Sequence, residues 1–133
     1  MQTIALIDYG AGNIPSVERA LEVAQLASGT ACKVIVTDSP EDVLRADRIV
    51  IPGVGHFRDC RDGLFRPDGM VEALNEACRR LAKPTLGICV GMQLMFDYSL
   101  EKTRTSGLGW LSGKFNKINT IGLDYLGRNF KVP

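Results

Sequence analysis

The chain has 133 residues, with 16 basic and 15 acidic side chains and a formal net charge of +1. This length suits one domain with a hydrophobic core of its own. The charges are balanced and form no basic block, so the sequence does not indicate a nucleic-acid partner. The opening residues lack the pattern of a secretory signal, and no apolar stretch reaches the roughly 18 residues of a membrane span. We therefore predict a soluble, cytoplasmic protein in which residues 1–133 form a single domain.

Apolar runs alternate with helical patterns along the chain. The runs that read as buried strands lie at residues 3–7, 33–36, 48–51 and 84–88. Asn13 followed by Pro15 predicts a helix that reaches about residue 26, and Ser39 followed by Pro40 predicts a short one. A further helix should carry an apolar stripe formed by Val71, Leu74, Cys78 and Leu81.

This βαβαβαβα order predicts an α/β fold with a mainly parallel, doubly wound sheet and helices on both faces. In such folds the functional groups lie at the carboxyl ends of the strands. Three glycine-rich loops follow predicted strands there, at residues 8–13, 52–55 and 87–91. The first loop departs from a dinucleotide fingerprint because Pro15 stands where the third glycine is required, and no P-loop pattern fits. We expect no cofactor.

The third loop places Cys89 between Gly87 and Gly91, each two residues away, at the junction of a strand and a helix-like run. This is the form of a nucleophile elbow with sulfur in place of oxygen. A turn that tight strains the nucleophile's backbone and leaves no room for Cβ atoms beside it. The N–H groups of the following helix would favour a thiolate and stabilise an oxyanion.

A small buried core residue is the alternative interpretation of any cysteine. It suits Cys32, Cys60 and Cys78, which lack the glycine frame. The four cysteines form no Cys-x-x-Cys pair and suit no zinc site, so we expect no metal and free thiols in a reducing compartment.

The loops at 8–13 and 52–55, the elbow continuing through Gln93, and the later segment 107–110 together resemble a known family. They are similar to the class I glutamine amidotransferases, and most closely to the amidotransferase subunits of imidazole glycerol phosphate synthase. The resemblance covers nearly the whole chain. It implies hydrolysis of L-glutamine and delivery of ammonia to a (β/α)8 cyclase subunit in histidine biosynthesis, as one half of a heterodimer.

Carried over by position, the resemblance makes Cys89 the nucleophile that attacks the glutamine carboxamide and forms a glutamyl thioester. The N–H of Val90 and, after a peptide rearrangement, that of Val54 would be the oxyanion donors. Gly53 and Gly55 would fall at substrate-binding positions.

The resemblance also implies that Gln93 and Glu101 hold the α-carboxylate and α-amino groups of the substrate. From the residues alone, a solvated helix residue for Gln93 and an exposed loop charge for Glu101 are the favoured interpretations, and residues 97–100 depart from the family's pattern. Asn13 matches a position at the interface with the cyclase, a role compatible with capping a helix.

The chain departs from the family in its acid–base groups. Triad chemistry needs a base and a carboxylate that orients it, which the family carries far beyond position 133. His56 is the only histidine here, and although it could approach Cys89 across strand ends we expect no base from it. We therefore expect a chain truncated at its C-terminus and inactive as given, its segment 130–133 leading toward the missing region.

Two other classes remain open. A catalytically dead module that binds the cyclase would need no base. A DJ-1-like cysteine hydrolase would share the cysteine turn, but would give no reason for the loop at 8–13 or for Gln93.

Overall fold

A computed structural model describes residues 1–119, 121, 124–125 and 128–129. Its elements are β1 (Gln2–Ile7), α1 (Ile14–Ser28), β2 (Cys32–Thr37), α2 (Pro40–Arg45), β3 (Arg48–Ile51), α3 (Phe57–Phe65), α4 (Met70–Leu74), a π-helical segment (Asn75–Arg80), β4 (Thr85–Gly87), α5 (Val90–Gln93), β5 (Phe96–Ser99), β6 (Thr105–Ser106), β7 (Leu111–Phe115), β8 (Asp124–Tyr125) and β9 (Arg128–Asn129). The four predicted strands are confirmed within one or two residues. Segment 130–133 lies outside the described residues.

The first four strands form one parallel sheet in the order β2-β1-β3-β4. In its register Gly87 at the end of β4 lies opposite Ile51 at the end of β3, and the Ile88 N–H donates to the Ile51 carbonyl at 2.9 Å. The loops that follow β1, β3 and β4 therefore leave the same edge of the sheet. The predicted α/β class and parallel sheet are confirmed.

Helices cover both faces of this sheet, as predicted. Successive side chains of a strand point to opposite faces. One face of β1 and β3 packs into the main core, whose buried members include Ala5, Ile7, Ile49, Ile51, Val43, Leu64, Met70 and Leu74. The opposite face carries α1, and Leu21 of this helix lines a groove with Ile4 and Cys32. No residue of α1 is fully buried.

The two predicted helix starts differ in how they are capped. The Asn13 side chain accepts from the Ser16 N–H at 3.3 Å, which confirms the predicted cap of α1. Ser39 precedes α2 as predicted, but its hydroxyl makes no capping bond. Thr37 supplies the side-chain hydrogen bonds at this helix start instead. Its hydroxyl donates to Asp42 at 2.7 Å and accepts from the Ser39 N–H at 3.0 Å.

The helix predicted over residues 71–81 is present as far as Arg80, but it changes from α-helical to π-helical after Leu74. α4 ends at Leu74 and continues as a π-helical segment, in which the Leu81 N–H reaches back to the Glu76 carbonyl at 2.9 Å. The wider turn breaks the 3.6-residue repeat that the sequence pattern assumes. Leu81 consequently lies beyond the helix with 46% of its surface exposed.

The helix predicted after Cys89 is also shorter than its sequence suggests. α5 ends at Gln93, because the next carbonyls accept hydrogen bonds from another part of the chain. Leu94 accepts from the Leu108 N–H at 2.7 Å, and Met95 accepts from the Trp110 N–H at 2.8 Å. The chain then enters β5, which joins β6 and β7 in a second, three-stranded sheet. Among the described residues, no helix combines the length and apolarity needed to cross a bilayer.

Candidate active site

Cys89 has a backbone conformation that side-chain-bearing residues rarely adopt. Its φ is 54° and its ψ is −118°, between the end of β4 and the start of α5. A positive φ costs a residue with a Cβ roughly 1–2 kcal/mol, so the surrounding structure must impose it. Cys89 is exposed, whereas Cys60 is buried and the other two cysteines are half-buried.

The predicted crowding beside Cys89 is confirmed at both glycines. A Cβ on Gly87 would lie 2.5 Å from the Met92 Cα and 2.7 Å from its nitrogen. A Cβ on Gly91 would overlap the Ile51 carbonyl oxygen and lie 2.7 Å from the carbonyl carbon. The glycines therefore allow α5 to pack directly onto the ends of β3 and β4.

The N–H groups after Cys89 are not equivalent. The Gly91 N–H donates to the Ile88 carbonyl at 2.9 Å, and the Met92 and Gln93 N–H groups donate to the Cys89 carbonyl at 3.0 and 3.2 Å. The hydrogen bonds of the described residues include none from the Val90 N–H. That group thus remains available to a ligand beside Cys89.

The three glycine-rich loops meet at this edge of the sheet. A Cβ on Gly12 would lie 3.2 Å from the Pro52 Cβ, and one on Gly53 would lie 2.6 Å from the Gly91 nitrogen. The loop of residues 52–55, called the 52–55 loop below, is therefore held between the first loop and α5. Within it Val54 is 61% exposed, and Gly55 has a φ of 93° with open space around it.

The other predicted site residues lie around this edge with local partners of their own. Gln93 is half-buried in α5, and Asn13 is exposed at the start of α1. The Glu101 carboxylate accepts from the Phe57 N–H at 2.9 Å with one oxygen and lies 3.1 Å from the His56 Nδ1 with the other. No hydrogen bond of the described residues joins His56 to Cys89.

Two buried side chains beside the 52–55 loop escaped the sequence interpretation. The Tyr9 hydroxyl donates to the Pro52 carbonyl, and the Cys60 thiol donates to the Val54 carbonyl at 3.3 Å. The partners are 43 and 6 positions apart in the sequence, so no local motif links them. Among the described residues, no three histidine, cysteine or acidic side chains are placed to hold a metal ion.

Glu101 makes a pH-dependent contribution to stability. The Phe57 N–H, followed by the His56 imidazole, lowers the pKa of its carboxyl from the ordinary value of 4.5. Because the folded pKa is the lower one, the stabilisation is complete above the ordinary pKa and is lost as the pH falls through the folded value. We expect Glu101→Gln to flatten the loss of melting temperature between about pH 6 and about pH 3.

Glu72→Gln, which removes an exposed carboxylate of α4, is the matched control. Thermal unfolding followed by circular dichroism measures both variants. Identical pH profiles for the Glu101 variant and the parent chain would contradict this account.

Comparison with known proteins identifies the family. The profile described as glutamine amidotransferase class-I matches residues 5–124, which is most of the chain. The chain therefore belongs to the class I glutamine amidotransferases, a family of enzymes.

The chain is also similar to individual curated proteins, which share one name. The chain is 47% identical over 130 residues to the imidazole glycerol phosphate synthase subunit HisH of Rhizobium meliloti, covering 98% of this chain and 58% of the relative. It is 53% identical over 115 residues to the subunit of the same name from Brucella abortus, covering 86% of this chain and 53% of the relative. It is 49% identical over 135 residues to the HisH subunit of Rhodopseudomonas palustris, covering 98% of this chain and 62% of the relative. The chain spans a little more than half the length of these relatives.

Proposed function

We propose that this chain carries the glutaminase nucleophile of an imidazole glycerol phosphate synthase. The observation that carries the proposal is the strained, exposed Cys89 packed against the 52–55 loop in a class I amidotransferase fold. In the proposed nucleophile elbow, the Cys89 thiolate attacks the carboxamide carbon of L-glutamine. The C–N bond then breaks, the nitrogen takes up a proton and leaves as ammonia, and a glutamyl thioester remains until water hydrolyses it.

The oxyanion of the tetrahedral intermediate needs donors beside Cys89. The Val90 N–H is the first, because it is unengaged and immediately follows the nucleophile. The second is the Val54 N–H, which reaches the oxyanion once the Gly53–Val54 peptide rotates. Each well-aimed donor is worth roughly 3 kcal/mol of transition-state stabilisation.

The remaining site residues would hold the amino-acid end of glutamine. Gln93 would donate to the α-carboxylate, and Gly53 and Gly55 would let the substrate approach the backbone closely. Glu101 would bind the α-ammonium group. Its two oxygens already face Phe57 and His56, but each retains a lone pair for a further donor.

We further propose that ammonia passes to a cyclase subunit with a (β/α)8 barrel, completing a cytoplasmic heterodimer with lyase activity. Asn13 would lie at this interface, since it is exposed at the edge where the three loops meet. The net charge of +1 gives no support to a nucleic-acid partner. Residues 1–133 would act as part of one amidotransferase domain.

A second candidate is a cyclase-binding module without turnover. The observation that favours it is the placement of His56, the single histidine among the 133 residues, whose Nδ1 faces Glu101. In this candidate His56 stays with Glu101 and does not serve Cys89 as a general base. Both candidates share the fold and the partner, and they differ in whether glutamine is consumed.

The test uses a chloroketone analogue of glutamine. The Cys89 thiolate displaces chloride from the chloromethyl carbon, and a stable thioether forms. We expect saturable labelling of Cys89, at least about tenfold faster than labelling of any other cysteine, because Cys89 alone is exposed in a site of this kind. Peptide mass spectrometry locates and counts the label.

Cys89→Ser should abolish this labelling, whereas Cys32→Ala should leave it unchanged. An excess of L-glutamine should slow it by competition. Labelling that does not saturate, or that falls equally on Cys60 and Cys89, would refute a glutamine site at Cys89.

A further inference from the structure

Two side chains hold the carbonyls on either side of one peptide unit in the 52–55 loop. The Tyr9 hydroxyl donates to the Pro52 carbonyl, one peptide before Gly53–Val54. The Cys60 thiol donates to the Val54 carbonyl at 3.3 Å, one peptide after it. The hydrogen bonds of the described residues include none to the Gly53 carbonyl or from the Val54 N–H. The peptide between the two held carbonyls is thus the unanchored one.

Both donors are fixed in the core. Tyr9 is 6% exposed and Cys60 is fully buried. Gly63 of α3 makes room for Tyr9, since a Cβ there would lie 2.6 Å from the Tyr9 carbonyl oxygen and 3.2 Å from its ring. The Tyr9 hydroxyl also touches the loop, because a Cβ on Gly53 would lie 2.8 Å from it. Neither side chain can leave its acceptor without disturbing α3 or the loop.

The same burial keeps both groups protonated. Burial, followed by the neighbouring Cys60 thiol, raises the pKa of the Tyr9 hydroxyl. Burial is also the largest cause that raises the pKa of the Cys60 thiol. Both groups therefore remain hydrogen-bond donors at neutral pH.

We propose that Tyr9 and Cys60 are positioning residues that fix the peptides flanking Gly53–Val54, so that only this peptide rotates when its N–H is brought to the oxyanion. The inference rests on the proposed function of Cys89. Rotation of a single peptide changes mainly the ψ of the residue before it and the φ of the residue after it. Gly53 has no Cβ to resist that change. Because the peptides on both sides are held, rotation brings the Val54 N–H to one defined position.

The experiment measures inactivation of the full chain by the chloroketone, whose carbonyl oxygen would occupy the oxyanion position. Tyr9→Phe and Cys60→Ala should each lower the maximal inactivation rate about fivefold to tenfold, the effect of one ordinary hydrogen bond. The concentration for half-maximal rate should change less than about twofold, because the groups that bind the amino-acid end are untouched. Cys60→Ser, which keeps a donor, should recover most of the rate.

Three controls separate positioning from a structural effect. Dithiodipyridine, a disulfide without a carbonyl, should modify Cys89 at the same rate in every variant, because its reaction forms no oxyanion. Tyr98→Phe, which removes a hydroxyl in β5, and Cys32→Ala, which removes a half-buried thiol, should both inactivate like the parent. Thermal unfolding shows which variants fold. If Tyr9→Phe does not fold, the comparison of Cys60→Ala with Cys60→Ser tests the proposal.

Each result has one meaning. Equal maximal rates for the parent, Tyr9→Phe and Cys60→Ala would overturn the inference while leaving the Cys89 site intact. A parallel fall in the dithiodipyridine rate, or a failure of Cys60→Ser to restore the chloroketone rate, would overturn it as well by showing a general disturbance. Loss of saturable labelling in the parent chain itself would instead overturn the proposed function.

Discussion

Gly91→Ala should lower the free energy of unfolding by more than about 4 kcal/mol or prevent folding altogether, which places it among the most damaging single substitutions. The added Cβ would overlap the Ile51 carbonyl oxygen, a main-chain atom of the central β3 strand that cannot move aside. Gly91 lies inside α5 without a positive φ, so alanine suits its local backbone. Any loss of stability must then come from the collision. Urea unfolding followed by circular dichroism measures it.

Gly10→Ala is the matched control for this substitution. Gly10 has a φ of 82° and nothing within 4 Å of its added Cβ. Its replacement should cost only about 1–2 kcal/mol, the conformational penalty of a positive φ. Equal costs at the two positions would show that contact with β3 does not explain the glycine at 91.

We also expect the 133-residue chain to show little steady-state glutaminase activity, even with a purified cyclase subunit. A thiolate at Cys89 can attack once, but departure of ammonia needs an acid and hydrolysis of the thioester needs a base. Such assistance is typically worth about 10²–10⁴-fold, and its loss should reduce turnover by a factor of that order. Glutamate release measured against the Cys89→Ala background quantifies the remaining rate.

His56→Ala is the decisive companion variant. We expect it to leave the residual rate unchanged, because the His56 Nδ1 faces Glu101 and no hydrogen bond of the described residues joins it to Cys89. Robust turnover that His56→Ala abolishes would make His56 the general base and contradict this prediction. Robust turnover that survives the substitution would contradict it too, and would require a general base other than His56.

Local patterns in the sequence were sufficient for much of the fold. Apolar runs located the four strands, and their alternation with helices implied a parallel sheet because parallel strands need crossover connections. The role of the glycines on either side of Cys89 could also be predicted from the sequence, because it too depends on local structure. The collisions that exclude a side chain at positions 87 and 91 arise within one strand-to-helix turn and its neighbouring strand.

Patterns did not show where another part of the chain bonds the backbone, or where a helical turn widens. α5 is short because segment 108–111 bonds the carbonyls that would continue the helix. The apolar stripe of residues 71–81 obeys a 3.6-residue repeat, yet the backbone widens into a π-helical turn after Leu74. Periodicity records which positions are apolar, and it does not record which backbone groups find partners elsewhere.

By itself, then, the sequence determined the fold class, the strand order along the chain and the candidate nucleophile, because each depends on residue types at short, regular spacing. Only the tertiary structure decided what surrounds that nucleophile. It paired His56 with Glu101 across 45 positions and placed Tyr9 against a carbonyl 43 positions away. Such contacts arise when strand ends and loops meet at one edge of a sheet, and no local pattern encodes which distant residues will meet there.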